Sequence, residues 1–202
     1  MKTNDSPLGY EYPAGPHVRR HGPIGYANYG SYREWLRDEF TFRCTYCLTR
    51  ERWSAALGFD IDHFVPQAFD PSLRCTYDNL LYLCHRCNLK KGKHRLPDPC
   101  QLSLQDSIRV HEDGQIEGLN QNGTRIIKVL ALEDPNWVTW RRMLIETLKA
   151  LSFRPELIKS WLGFPDDLPD LARMHPSGNS RPLGVSTSYF SQRCVGSLPE
   201  VY

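Results

Sequence analysis

Two Cys-x-x-Cys pairs, Cys44/Cys47 and Cys84/Cys87, enclose the adjacent Asp62 and His63, and Asn88 follows directly on the last cysteine. Each pair offers two sulfurs from one tight turn, and four soft thiolates suit a tetrahedral Zn²⁺ better than a hard ion. Two disulfides or four plain buried cysteines are the alternatives. Nothing at the start of the sequence reads as a secretory signal and a reducing compartment keeps thiols free, so zinc is the preferred reading. The 36 residues between the pairs are too many for a compact finger. A second structure is expected between them.

That intervening stretch carries a different chemistry. Hydrolysis of a phosphodiester needs a base for water, a Lewis acid at the phosphate, and a grip on the backbone. A histidine side chain has an unperturbed pKa of about 6.5, so a residue of this type at position 63 can accept a proton at neutral pH. Asp62 is a hard oxygen donor and Asn88 offers a carbonyl oxygen, a pair suited to Mg²⁺ or Mn²⁺ with positions left for water and phosphate. Neighbouring residues on a strand point to opposite faces, and Asn88 lies 26 residues beyond Asp62. Only a folded unit can gather them. A satisfied core histidine is the plainer account of His63, but its place inside the cysteine frame favours catalysis. His85, between two sulfur ligands, is expected to support and not to react.

Residues 84–95 include Arg86, Lys90, Lys91, Lys93 and Arg95 without an acidic residue. Alone this would be a solvated basic face. Next to the residue expected to hold a cation, it reads as a clamp for phosphates, with Arg86, Lys90, Lys91 and Lys93 the contacts and with affinity falling as salt rises. The chain as a whole carries a net charge of only +2, from 25 basic and 23 acidic residues. Any nucleic-acid surface must therefore be local.

The segments Asp62-His63-Phe64-Val65-Pro66, Asp78-Asn79-Leu80 and Cys84-His85-Arg86-Cys87-Asn88-Leu89-Lys90-Lys91-Gly92-Lys93 resemble the HNH endonucleases. The resemblance spans residues 38–96 and implies a ββα-metal (His-Me finger) nuclease core within an α+β protein. It implies a distorted strand end that lets Asp62 and His63 serve one site. It gives Asn79 the task of bracing the loop and orienting the base, where the residue alone would equally read as a turn or cap. The third signature position is Asn88, so the variant is H-N-N. Family members act on DNA and leave 5′-phosphate and 3′-hydroxyl ends; restriction, phage defence, mobile-element transfer, or service as the nuclease subunit of a larger complex are the implied contexts.

Other elements must position this core. Residues 1–30 read as an irregular arm with a basic cluster at 17–21, ordered only against something else. Residues 31–40 predict a helix capped by Ser31, with Tyr32, Trp35, Leu36 and Phe40 on one face. Residues 51–57 suggest a short helix or turn, and residues 80–83 the second strand. The nuclease core is placed at residues 31–97, and a hairpin with helices packed on it at 98–163. Alternation around Asp113-Gly114 predicts the hairpin. Residues 125–132 suit a helix face or a buried strand, with helix chosen; residues 136–151 form an amphipathic helix, and Pro155 opens a shorter one. Trp137 and Trp140 are read as core and not as a base-stacking platform. Residues 164–202, punctuated by proline, are expected to be an extended tail.

The length and the 40% hydrophobic content allow one real core. No apolar run approaches the roughly 18 residues of a membrane span, and free Cys75, Cys100 and Cys194 fit a reducing, cytoplasmic setting. Two other functions fit the same residues: a zinc-stabilised DNA- or protein-binding module with an idle pocket, and an RNA-cleaving nuclease or toxin. Without a sequence-reading module in the chain, targeting would fall to a protein partner or to DNA structure.

Overall fold

Residues 80–84 read Leu-Leu-Tyr-Leu-Cys, and a run this apolar is stable as a strand only with both faces covered. In the computed structural model, which describes residues 6–53, 58–151, 153–174, 176 and 184–202, it forms β2 (Leu80–Cys84), buried at every position. β1 (Phe59–His63) pairs with it antiparallel, from Phe59 opposite Cys84 to His63 opposite Leu80. The next residue after β2 begins α2 (His85–Lys91), which folds back over both strands. Gly92 ends the helix at φ +48°, ψ −123°, a conformation that a side chain bearing Cβ rarely adopts. The product is the ββα unit, in an α+β chain of helices and small antiparallel sheets.

α1 (Arg33–Glu39) packs against β2, with Trp35 and Leu36 buried beside Tyr32 and Phe40. The expected apolar face is present, but Ser31 is not the cap. Asn28, in extended backbone, accepts from Gly30 N at 2.8 Å and starts a 3₁₀ turn (Tyr29–Tyr32) that runs into α1. The asparagine oxygen satisfies a free N–H two residues ahead, so the helical path opens before Ser31 is reached. Of the short element expected over residues 51–57, a 3₁₀ turn (Glu51–Trp53) is present, and residues 54–57 lie outside the described residues.

β3 (Ile108–Val110) and β4 (Ile116–Gly118) form the expected hairpin around Gly114. The ambiguous segment is helical: α3 (Gln121–Leu130) is capped by Asn120, whose side chain accepts from Gly123 N. A Cβ on Gly123 would sit 1.7 Å from the Ser107 carbonyl oxygen, so only glycine allows α3 to press this closely on the hairpin. α4 (Pro135–Leu151) buries Trp137, Leu144 and Leu148, and α5 (Pro155–Leu162) follows. Trp137 and Trp140 stack on one another with Trp137 in the core, as the stripe predicted. From α4 the buried Arg141 donates to the Gly114 and Leu132 carbonyls and ties the hairpin to the helices.

Both chain ends pack onto the rest of the molecule. The arm's described residues 6–28 form no helix or strand, and Tyr10, Tyr12 and His21 are buried. The segment expected to be an extended tail folds back instead: Phe164 and Leu168 bury with Phe42 into a small second core that Tyr189, Phe190, Leu198 and Tyr202 flank, and α6 (Tyr189–Cys194) packs against it through its first two residues. The reason is aromatic: Phe164 meets both Tyr189 and Tyr202 at ring-centroid distances of 4.6 Å, a contact worth more than proline punctuation suggests. Pro182 lies outside the described residues.

Both ends converge on Asp38 and Glu39 at the close of α1. Glu39 accepts from His17 Nε2 at 2.8 Å, Arg20 N at 2.9 Å, His21 N at 2.9 Å and the Tyr77 hydroxyl at 3.1 Å. Asp38 meets Arg20 and His21 from the arm and accepts from Tyr189 N at 2.9 Å. Burial pushes the Glu39 carboxyl up, but hydrogen bonds from His17 and Arg20 N and the neighbouring His21 outweigh it, leaving the pKa lowered to about 2. A carboxylate depressed in the folded state stabilises above its unfolded pKa and loses that contribution as pH falls through the folded value. Between about pH 4.5 and 2 the protein should therefore lose on the order of 3 kcal/mol through this group alone. Circular dichroism melts over that window should show the loss in wild type and a flatter profile in Glu39→Gln.

Candidate active site

Cys44 and Cys47 stand on the turn after α1, Cys84 ends β2 and Cys87 lies in the first turn of α2. All four are buried and their sulfurs lie within 4.8 Å of one another. Cys47 and Cys84 sulfurs are 3.7 Å apart. Thiolates about 2.3 Å from a tetrahedral zinc lie about 3.8 Å from each other, whereas disulfide sulfurs approach to about 2.0 Å. The four are free thiols, and the disulfide alternative is removed. Burial pushes Cys47 up, but hydrogen bonds from Cys44, Cys84, Cys87 and Thr49 outweigh it and hold its thiol well below the usual range. Hydrogen bonding with Cys44 and Cys47 holds Cys84 and Cys87 well above it. Four buried sulfurs gathered this closely are a soft donor set that fits a buried dication. Leu48 closes the first turn at φ +59°, where its N–H meets the Cys44 carbonyl at 3.0 Å.

One face of α2 lies over one face of β1. Asp60 and Asp62 alternate onto the same side of the strand, and His85, Asn88 and Lys91 recur every three residues along the helix. Asp60 Oδ2 receives both His85 Nδ1 at 2.8 Å and Asn88 Nδ2 at 2.9 Å. Asp62 faces Lys91, whose Nζ lies 2.7 Å from Oδ2 and donates to the His63 carbonyl at 2.9 Å. Burial raises the Asp62 carboxyl despite Lys91 and His63 nearby. Asn88 is thus in contact with Asp60, and Asp62 with Lys91. The donor types that a hard cation asks for, two carboxylates and a carboxamide, lie on one β1–α2 layer, with an ammonium already beside Asp62.

His63 leaves this layer for the loop side. Its Nε2 is 2.9 Å from the Arg74 carbonyl, Gln67 Nε2 is 3.3 Å from its Nδ1, and the Tyr29 ring meets it edge-on at 4.9 Å. Asn79 holds the loop that carries Arg74: its Oδ1 accepts from Val65 N at 2.8 Å, and its Nδ2 donates to the Val65 and Leu73 carbonyls at 3.1 and 3.3 Å. Phe64 N also reaches the Asn79 carbonyl at 2.8 Å.

Two of the four expected phosphate contacts are not free to serve. Lys91 is fully buried against Asp62. Arg86 donates to the Leu130 and Ala131 carbonyls at 3.0 and 2.6 Å, with its guanidinium 4.5 Å over the Trp137 ring. The period of α2 explains both, because a helix this short on a sheet must turn some of its basic side chains inward. Lys90 and Lys93 are exposed. Asp60, Gln67, Tyr29 and Arg74 were missed as neighbours of the site. Asp60, two residues before Asp62, had a signal in strand alternation; the others come from loops whose course no periodicity announces.

Residues 44–94 match the family model described as HNH endonuclease. The chain is also 29% identical over 110 residues to "Septu protein PtuB" of Bacillus thuringiensis, a match covering 52% of this chain and 42% of that protein. Among the described residues no helix is long and apolar enough to cross a membrane.

Three outcomes test the frame. Structural zinc supplies on the order of 10 kcal/mol of folding free energy in small domains, so Cys84→Ser should abolish bound zinc and cooperative melting together, as read by metal analysis and calorimetry. Lys91→Met leaves Asp62 buried and unpaired and should cost roughly 3–5 kcal/mol. Lys90→Met, on the exposed face, should stay within about 0.5 kcal/mol by denaturant titration.

Proposed function

From the HNH endonuclease domain at residues 44–94, we propose that this protein is a metal-dependent endonuclease hydrolysing DNA phosphodiester bonds beside β1 and α2. The observation that carries the reading is the Arg74 carbonyl 2.9 Å from His63 Nε2. A carbonyl only accepts, so Nε2 holds the proton and Nδ1 is left with its lone pair. The imidazole is thereby set in the tautomer of a base, and Asn79 keeps the loop that does this in place. In the proposed step His63 Nδ1 takes a proton from water as the water oxygen attacks phosphorus; the bond to the 3′ oxygen breaks and that oxygen takes a proton from solvent water, giving 5′-phosphate and 3′-hydroxyl ends. Asp62 and Asn88 would hold Mg²⁺ or Mn²⁺, which when bound neutralises charge developing on the phosphate and the leaving oxygen. Lys90 and Lys93 hold the backbone by charge.

The four-cysteine cluster is assigned Zn²⁺ and a structural part. Of the contexts that the family admits, we favour defence, supported by the likeness to Septu protein PtuB, and with it a protein partner for targeting. The free cysteines fit a cytoplasmic location. One observation favours a binding module instead: the Lys91 ammonium already neutralises Asp62.

A single assay separates the readings. Wild type should nick plasmid DNA with Mg²⁺ or Mn²⁺, and His63→Ala should be slower by roughly 10²–10⁴-fold, the usual worth of a general base, with DNA affinity nearly unchanged. Cleavage of structured RNA in place of plasmid would move the activity to the RNA-directed class. Tight DNA binding with no cleavage of plasmid, single-stranded DNA or RNA under any divalent metal would leave the binding module.

A further inference from the structure

A carboxamide binds a hard cation through its oxygen alone, because the amide nitrogen has no lone pair to give. Asn88 can therefore serve as a ligand in one orientation of its side-chain amide and not in the other. A carboxylate beside it decides which. Asp60 Oδ2 lies 2.9 Å from the Asn88 amide, and an ionised carboxylate only accepts, so it must face the NH₂ end and turn Oδ1 away from itself. The same oxygen is met at 2.8 Å by Nδ1 of His85, half exposed at the start of α2, which gives Asp60 a second partner.

From this geometry we propose that Asp60, held by His85, is a positioning residue that fixes the Asn88 amide with its oxygen available to the divalent ion. The inference rests on the reading of Asn88 as an ion ligand. It gives a task to the first carboxylate of Asp60-Ile61-Asp62-His63 and to a histidine between two cysteines, neither of which the proposed reaction otherwise uses. Partners of this kind commonly alter metal affinity by about 10–100-fold.

The test is direct Mn²⁺ binding to the full, zinc-replete chain, measured by electron paramagnetic resonance of free Mn²⁺, with no turnover involved. Asn88→Ala and Asp60→Ala should each weaken binding by about tenfold or more, and His85→Ala by about threefold. Asp60→Asn, isosteric and still able to accept from the amide, should retain most of the affinity. In an Asn88→Asp background both side-chain oxygens can coordinate and no orientation is required, so adding Asp60→Ala should cause no further loss. Zinc content and melting temperature, checked on each variant, identify any that has failed to fold, for which His85→Ala stands as the second probe. Unchanged Mn²⁺ affinity in Asp60→Ala and His85→Ala, with Asn88→Ala weakened, overturns the inference and leaves the ligand reading standing. Unchanged affinity in Asn88→Ala removes both. An equal tenfold loss from Asp60→Ala in the Asn88→Asp background would make Asp60 a ligand itself and end its positioning role.

Discussion

The sulfur cluster is the constraint on which the rest depends. Cys84 is at once the last residue of β2, the residue before α2 and one of four sulfurs gathered within 4.8 Å. Fixing that atom fixes the angle at which α2 leaves the sheet. The placement of His85, Asn88 and Lys91 over Asp60 and Asp62 follows from it. Thr45 adds to the tie from the other pair, with both its N–H and its hydroxyl donating to the Tyr82 carbonyl at 3.0 and 2.9 Å. The turn after α1 is thus held to the strand both covalently remote and spatially adjacent to it. A two-stranded sheet with a seven-residue helix has too little apolar surface to hold such angles alone.

Charge is divided between holding the fold and meeting solvent. Asp38 and Glu39 bind both chain ends to α1 from buried positions. Lys91 is buried against Asp62, and Arg86 is committed to the last carbonyls of α3 and to Trp137. The exposed basic side chains nearby include Lys90 and Lys93 on and just after α2, and Arg74 on the loop between the strands, whose own carbonyl meets His63. Such a division follows from desolvation, since a buried charge persists only when an opposite charge or hydrogen bonds compensate its lost hydration. The structure places His63 on the loop side of β1 and the oxygen donors Asp60, Asp62 and Asn88 on the helix side, so the end of the strand joins two environments of opposite character.

Much of the fold was legible in one dimension. The hairpin, α4, α5 and β2 follow from periodicity, a turn dipeptide and unbroken apolar runs, and these local signals agree with what packing rewards. The paired Cys-x-x-Cys spacing likewise announced a four-sulfur cluster, because two short turns are the cheapest geometry that presents four thiolates. The tail was misread because the rings that anchor it, Tyr189 and Tyr202, meet Phe42 and Phe164 only across long stretches of chain. Ser31 was misread as a cap because Asn28, three residues earlier, reached a free N–H first.

By itself the sequence determined which residues have the chemistry to act: four thiols, a histidine beside a carboxylate, and two asparagines at family spacing. Only the tertiary structure decided what each one touches. It put Asn88 on Asp60 and not on Asp62, closed Asp62 with a lysine expected on the surface, and gave His63 a carbonyl partner from residue 74. The physical reason is that side-chain identity is local, whereas burial, pairing and tautomer depend on the angle between α2 and β1 and on the path of the loop between the strands, and these are set by contacts far apart in the chain.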